Sequence, residues 1–160
     1  SSQKSLLFIP SLLKDDFKLS VKAALLARSI YKDIKIMIKL HPSFELSIID
    51  RIITFYLSLK SIKFTNLSLN DLFKSKPLTF TYSSTAVFEA ALYKCPSFFI
   101  PTSLKYNGGE LILKNIFQNI VEQYKKGIIL EQSTNPLYIS ADRSNSFFGL
   151  ERDNFFLFFD

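Results

Sequence analysis

The sequence predicts an α/β domain built on a doubly wound parallel sheet of about six strands, with helices on both faces. Three observations predict it. Short apolar runs rich in β-branched and aromatic residues recur along the 160 residues, and stretches of three- and four-residue apolar periodicity separate them. Polar residues collect just past several of the apolar runs. Strand and helix patterns in strict alternation call for parallel strands joined by crossover helices, which bury both faces of the sheet.

The first strand is expected at 6–9. Behind it Asp15 and Asp16 stand where a helix N-terminus favours negative charge, and Phe17, Val21, Ala24, Leu25, Arg28 and Tyr31 recur at helical steps. A second strand is expected at 34–40. Ile48, Ile49, Ile52, Ile53 and Tyr56 then form another helical stripe, followed by a strand at 62–65. A short helix over 69–75 is closed by Pro77, and a strand at 78–82 leads into a helix over 85–94 that Cys95-Pro96 stops. After a strand at 97–100, Asn107-Gly108-Gly109 reads as a turn. Leu113, Ile116, Phe117, Ile120, Val121 and Tyr124 form a last stripe that ends at Gly127, ahead of a sixth strand at 128–130. Such a series suits a Rossmann-like strand order, 3-2-1-4-5-6.

Residues 1–131 therefore read as one Rossmann-like domain, and at 160 residues the chain is long enough to bury roughly two thirds of its unfolded surface around a single core. Residues 132–160 read as a Phe-rich helical extension packed on the same domain. Phe147, Phe148, Leu150, Phe155, Phe156, Phe158 and Phe159 are too apolar to leave in water, and a membrane-surface or partner-facing role is the other reading of this segment. No apolar run approaches the ~20 residues that span a bilayer.

A formal charge of +6 favours an anionic partner. The lysines are scattered, with Lys125-Lys126 the only adjacent pair, so no nucleic-acid-binding arm is present and nucleic acid is not expected as a partner. Cys95 is the only cysteine, which rules out an internal disulfide and a cysteine metal cluster and suits a cytoplasmic, reducing compartment. HExxH, a nucleophile elbow and metal-spaced His or Cys sets are all missing, so neither a metal nor a cofactor is expected.

Two segments carry the chemistry. Lys39-Leu40-His41-Pro42 follows the second strand, and Tyr82-Ser83-Ser84-Thr85 leads from the fourth strand into its helix. In a 3-2-1-4 order the first and fourth strands are neighbours, the winding reverses between them, and the loops diverge to leave a crevice at the carboxyl edge. Ser11 closes the first strand there. The hydroxyls of Ser83, Ser84 and Thr85, with the free N–H groups of the following helix, form an anion seat. Pro42 keeps His41 extended, where its ring donates to a phosphate oxygen and, protonated, offsets charge on a leaving group. Glu89, one turn into the helix, is placed to accept from ribose hydroxyls, and Lys39, two residues before His41, is a second cation. For these residues the plainer roles are a cap for His41, an N-cap for the serines and threonine, a solvated helix acid for Glu89 and an edge charge for Lys39.

The HP segment, the SS segment about forty residues later, and Cys95-Pro96 before a short strand together resemble the C-terminal half of GT-B glycosyltransferases. The versions most similar are bacterial sialyltransferases and polysialyltransferases, Kdo transferases, and CDP-glycerol glycerophosphotransferases, which act in capsule or lipopolysaccharide biosynthesis. The resemblance covers residues 5–131. It implies that His41, Ser83 and Ser84 contact the phosphate and cytidine monophosphate part of a CMP- or CDP-activated donor, with Pro42, Thr85, Glu89, Ser11 and Lys39 around them. It implies an inverting transfer in which His41 stabilises the departing nucleotide. Acceptor site and catalytic base usually belong to an N-terminal half in that family, so the chain is expected to be the donor-binding half, inactive alone, meeting a glycan acceptor through that half. A cytoplasmic protein, peripheral at the inner membrane, fits this picture.

Two other readings stay open. A UDP-sugar 2-epimerase shares the architecture but usually has an acidic-Ser-Gly-Gly pattern where this chain has Thr81-Tyr82-Ser83-Ser84. A non-catalytic α/β module that binds an anion or a partner is the third. If the chain were active alone, Asp15 or Asp16 would be the first candidates for the base.

Overall fold

Every residue of Ser5–Pro10 is buried, as a strand covered on both faces must be. This is β1. The computed structural model describes residues 3–100 and 109–127 and places four further strands beside it: β2 (Lys35–Ile38), β3 (Ile62–Phe64), β4 (Leu78–Tyr82) and β5 (Ser97–Ile100). All pair in parallel, in the order β3-β2-β1-β4-β5. The fold is thus α/β with a Rossmann-like sheet, with five strands among the described residues. The expected strand at 128–130, the turn residues Asn107 and Gly108, and the whole of 132–160 lie outside the described residues.

Helices α1 (Lys14–Ile30) and α2 (Ile48–Leu59) follow β1 and β2 and lie on one face. Helices α3 (Leu69–Lys74) and α4 (Ala86–Leu92) lie on the other, with Phe73, Ala86 and Ala90 against Leu7, Ile9 and Met37. The change of face goes with the reversal of winding between β3 and β4. The last described helix opens at Gly109 as α5 (Gly109–Ile116), passes through a π-helical turn at Phe117–Val121 and closes as α6 (Glu122–Lys125). Gly127, at φ 75°, ends it in the left-handed conformation that glycine adopts without penalty.

This last helix packs on the α1 face, where Leu113, Ile116, Phe117 and Val121 join the core. The described strands hold the first five places of the expected 3-2-1-4-5-6 order.

Phe8, Phe80 and Phe98 stand opposite one another in register across β1, β4 and β5 and stack at 5.2 and 5.5 Å, and Phe117 meets Phe8 and Phe80 edge-on. Each such pair adds about 0.5–1.5 kcal/mol beyond the area it buries. Tyr31, at the end of α1, donates its hydroxyl to the Phe117 carbonyl at 2.6 Å, serving the π turn. Among the described residues no helix is long and apolar enough to cross a membrane.

Candidate functional site

The parallel ladders run one residue past the strands and tie the loops at the carboxyl edge together. Lys39 N–H donates to the Phe8 carbonyl (2.9 Å), Ser11 N–H to the Tyr82 carbonyl (3.1 Å), and Ser83 N–H to the Ile100 carbonyl (3.2 Å). Ser11 and Ser83 thus leave the sheet from adjacent strands at the point where the winding reverses. The mouths of β2 and β4 flank that of β1 and are about 10 Å apart, given a strand spacing of ~4.8 Å.

His41 stands three residues beyond β2, exposed, as the first residue of a turn closed by Phe44 N–H on the His41 carbonyl (2.9 Å). Its Nδ1 accepts from Ser43 N–H at 3.1 Å. The neutral ring then carries its proton on Nε2, which is left as a donor. Pro42 occupies the second turn position, which its fixed φ suits. The turn is anchored by Phe44, whose ring stacks on Phe17 of α1. Lys39 is half-buried, but the strand has ended at Ile38, so strand alternation does not set it on the same side as His41.

Ser83 has a left-handed φ of 51°, a conformation that costs a non-glycine residue about 1 kcal/mol or more. It turns the chain from β4 toward α4. Ser84 Oγ accepts from Ala86 N–H at 3.3 Å, while Thr85, at the N-cap position, makes no side-chain cap bond. The capping hydroxyl is therefore that of Ser84. Ser83, Ser84 and Thr85 are each half-buried, and Glu89 is exposed on α4. The structure brings Ser11 and the serine segment together on neighbouring strands, with the His41 turn one strand further along.

Beneath these loops Asp16 is wholly buried and accepts the Ser11 hydroxyl. Tyr82 is wholly buried too, and among the described residues its hydroxyl has no hydrogen-bond partner. Burial, then the nearby Asp16 carboxylate, pushes this phenol well above its ordinary range. A cavity of about 580 Å³ opens beside it, between α1 and α5, lined among others by Asp15, Lys18, Lys22, Tyr82, Ile100 and Glu110. His41, Ser83 and Ser84 are not among its lining residues. Of the two acids, exposed Asp15 lines the cavity and buried Asp16 is committed to Ser11. Sequence reasoning missed Lys18, Lys22 and Tyr82. The lysines sit one residue after the core positions Phe17 and Val21, a spacing that marks only a helix flank, and Tyr82 reads as an ordinary strand apolar residue.

The loops after β1 and β2 are linked at the start of α2. Asp50 and Ser47 form a reciprocal capping box, with Asp50 N–H on Ser47 Oγ (3.1 Å) and Ser47 N–H on Asp50 Oδ2 (3.0 Å), and Lys14 reaches the same oxygen at 3.5 Å. Burial alone raises the Asp50 carboxyl, but the Ser47 bonds and Lys14 outweigh it and hold the group below its usual range. Among the described residues no three His, Cys, Asp or Glu side chains are grouped to hold a metal ion.

Comparison with known proteins returns no family model, no curated protein and no solved structure that matches the chain.

Proposed function

We propose that the chain is the donor-binding domain of an inverting glycosyltransferase and holds the phosphate of a CMP- or CDP-activated donor at the carboxyl edge of β1, β2 and β4. The observation that carries this reading is the His41 turn. Nδ1 is occupied by Ser43 N–H, so an exposed Nε2–H donor stands at the mouth of β2, with Ser11 and the Ser83-Ser84-Thr85 segment at the mouths of β1 and β4. The strand order supports it as well, because open α/β sheets bind ligands at this switch point.

On this reading His41 Nε2 and the Thr85 hydroxyl donate to phosphate oxygens, while Ser84 keeps its capping bond to Ala86 N–H. An acceptor hydroxyl attacks the anomeric carbon, the bond from that carbon to the phosphate oxygen breaks, and the nucleotide leaves with its negative charge met by these donors. The base that takes the hydroxyl proton belongs to a second domain that also carries the glycan acceptor. The protein acts in the cytoplasm, in surface-polysaccharide synthesis.

Calorimetric titration with CMP, CDP, UMP and UDP tests the reading. Tighter binding of the cytidine nucleotides is the expected result. Equal affinity for the uridine nucleotides favours an epimerase-like domain, and failure to bind any of the four overturns a donor site formed by this chain.

A further inference from the structure

Helix α2 turns an apolar stripe outward. Ile48, Ile49, Ile52, Phe55, Tyr56 and Leu59 are between 47 and 80% exposed, and at 100° per residue they fill one continuous sector about 120° wide. Only Leu57 and half-buried Ile53, just outside that sector, join the core. The same helical geometry sets exposed Arg51 on one border of the stripe and exposed Lys60 on the other. Lys60 stands 5.7 Å over the Tyr56 ring. The one acid of the helix, Asp50, is buried and held by Ser47 and Lys14. Leu12 and Leu13, just before Lys14 in the chain, are exposed as well.

We propose that α2 is a docking surface for an anionic lipid bilayer, with the helix lying in the plane of the interface. An apolar sector bordered by cations is suited to that boundary: the Ile and Phe side chains enter the acyl region while Arg51 and Lys60 stay with anionic headgroups. The twelve residues of α2 extend about 18 Å, enough to lie on a bilayer and too short for its ~30 Å core. The net charge of +6 acts in the same direction. A second copy of the chain fits the surface less well. A symmetric contact through α2 would oppose Arg51 and Lys60 to the same cations, and one 18 Å helix face covers far less than the roughly 1,200 Å² of a stable interface. This docking goes beyond nucleotide binding and does not depend on it.

Flotation of the full 160-residue chain with vesicles tests the proposal. Vesicles of phosphatidylglycerol and phosphatidylcholine in equal parts should carry the protein upward, vesicles of phosphatidylcholine alone much less, and added salt should weaken the binding. The double variant Ile52→Ser, Phe55→Ser should lose about tenfold or more of its partition with an unchanged circular dichroism spectrum, since both side chains already face water in the free protein. Arg51→Gln with Lys60→Gln should reduce binding to the anionic vesicles only. Wild-type protein that stays in solution beside the anionic vesicles overturns the proposal. So does an Ile52→Ser, Phe55→Ser protein that floats like wild type, which would shift membrane contact to the Phe-rich 144–160 segment. A wild-type dimer that this variant converts to a monomer overturns it in favour of a second copy.

Discussion

The ring of Phe44 stacks on the ring of Phe17 with centroids 5.1 Å apart and planes 28° apart, and Phe44 closes the turn that carries His41. Phe44 N–H closes the turn on the His41 carbonyl, so the histidine is joined through three residues to a side chain anchored on α1. Phe44→Ala removes the anchor. Because Phe44 is half-buried, the expected loss of stability is about 1–3 kcal/mol, below the 3–5 typical of a fully buried phenylalanine. Nucleotide affinity should fall more than in Phe44→Leu, which keeps an apolar anchor. Equal affinity in the alanine, leucine and wild-type proteins would show that the turn plays no part in binding.

Tyr82 carries a buried hydroxyl with no partner among the described residues, so Tyr82→Phe should stabilise the protein. Relief of an unmet polar group contributes about 1 kcal/mol or more. The folded-state phenol lies above its unfolded value of about 10, so this group's contribution is intact below pH ~10 and is lost as the pH rises further. Tyr31, pushed up to about 12 mainly by burial and then by Glu122, adds a loss of the same sign. Chemical denaturation from neutral to alkaline pH should show a shallower fall for Tyr82→Phe than for wild type. A lowered melting temperature in that variant would mean that the hydroxyl has a stabilising partner.

Asp50 supports α2 in two ways of unequal weight. Asp50→Ala should cost about 0.5–2 kcal/mol by breaking the capping box, whereas Lys14→Ala should cost no more than about 1, because Lys14 is 55% exposed and its ion pair is screened. The Asp50 carboxyl is held below its unfolded value, so its contribution is present above pH ~4 and is lost as the pH falls through the folded value. Urea unfolding of wild type and Asp50→Ala at neutral and acid pH checks this. The stability gap should narrow in acid, and a gap that stays constant would remove the carboxylate from the capping box.

The sheet was legible in the sequence because its strands are buried on both faces and leave unbroken apolar runs, as in Leu6-Leu7-Phe8-Ile9. Helix α2 was legible as a helix but not in its orientation. Its apolar residues extend around more than one face, so periodicity does not say that Leu57 and Ile53 pack inward while Ile48, Ile49, Ile52 and Tyr56 face water. The Ser83-Ser84-Thr85 run signalled a helix start, yet which hydroxyl caps depends on the left-handed φ at Ser83, a conformation that residue type alone does not announce for serine. The cavity was hidden because it needs α5 beside α1, and the face chosen by a helix after β5 depends on a crossover that composition does not specify.

The nucleotide reading is tested most directly by CMP titration of His41→Asn beside wild type. Asparagine places its carbonyl oxygen where the imidazole holds Nδ1, so it still accepts Ser43 N–H and keeps the turn, but it has nothing in place of Nε2–H. If His41 donates to the donor phosphate, His41→Asn melts like wild type and binds CMP about 1.5–3 kcal/mol more weakly, while cytidine without phosphate binds both proteins alike. Thr85→Val should cost about 0.5–1.5 kcal/mol, and its combination with His41→Asn should be non-additive if both groups hold one phosphate. A His41→Asn protein with wild-type CMP affinity would contradict the phosphate site and leave His41 as the first residue of its turn, with Nδ1 satisfied by Ser43 N–H.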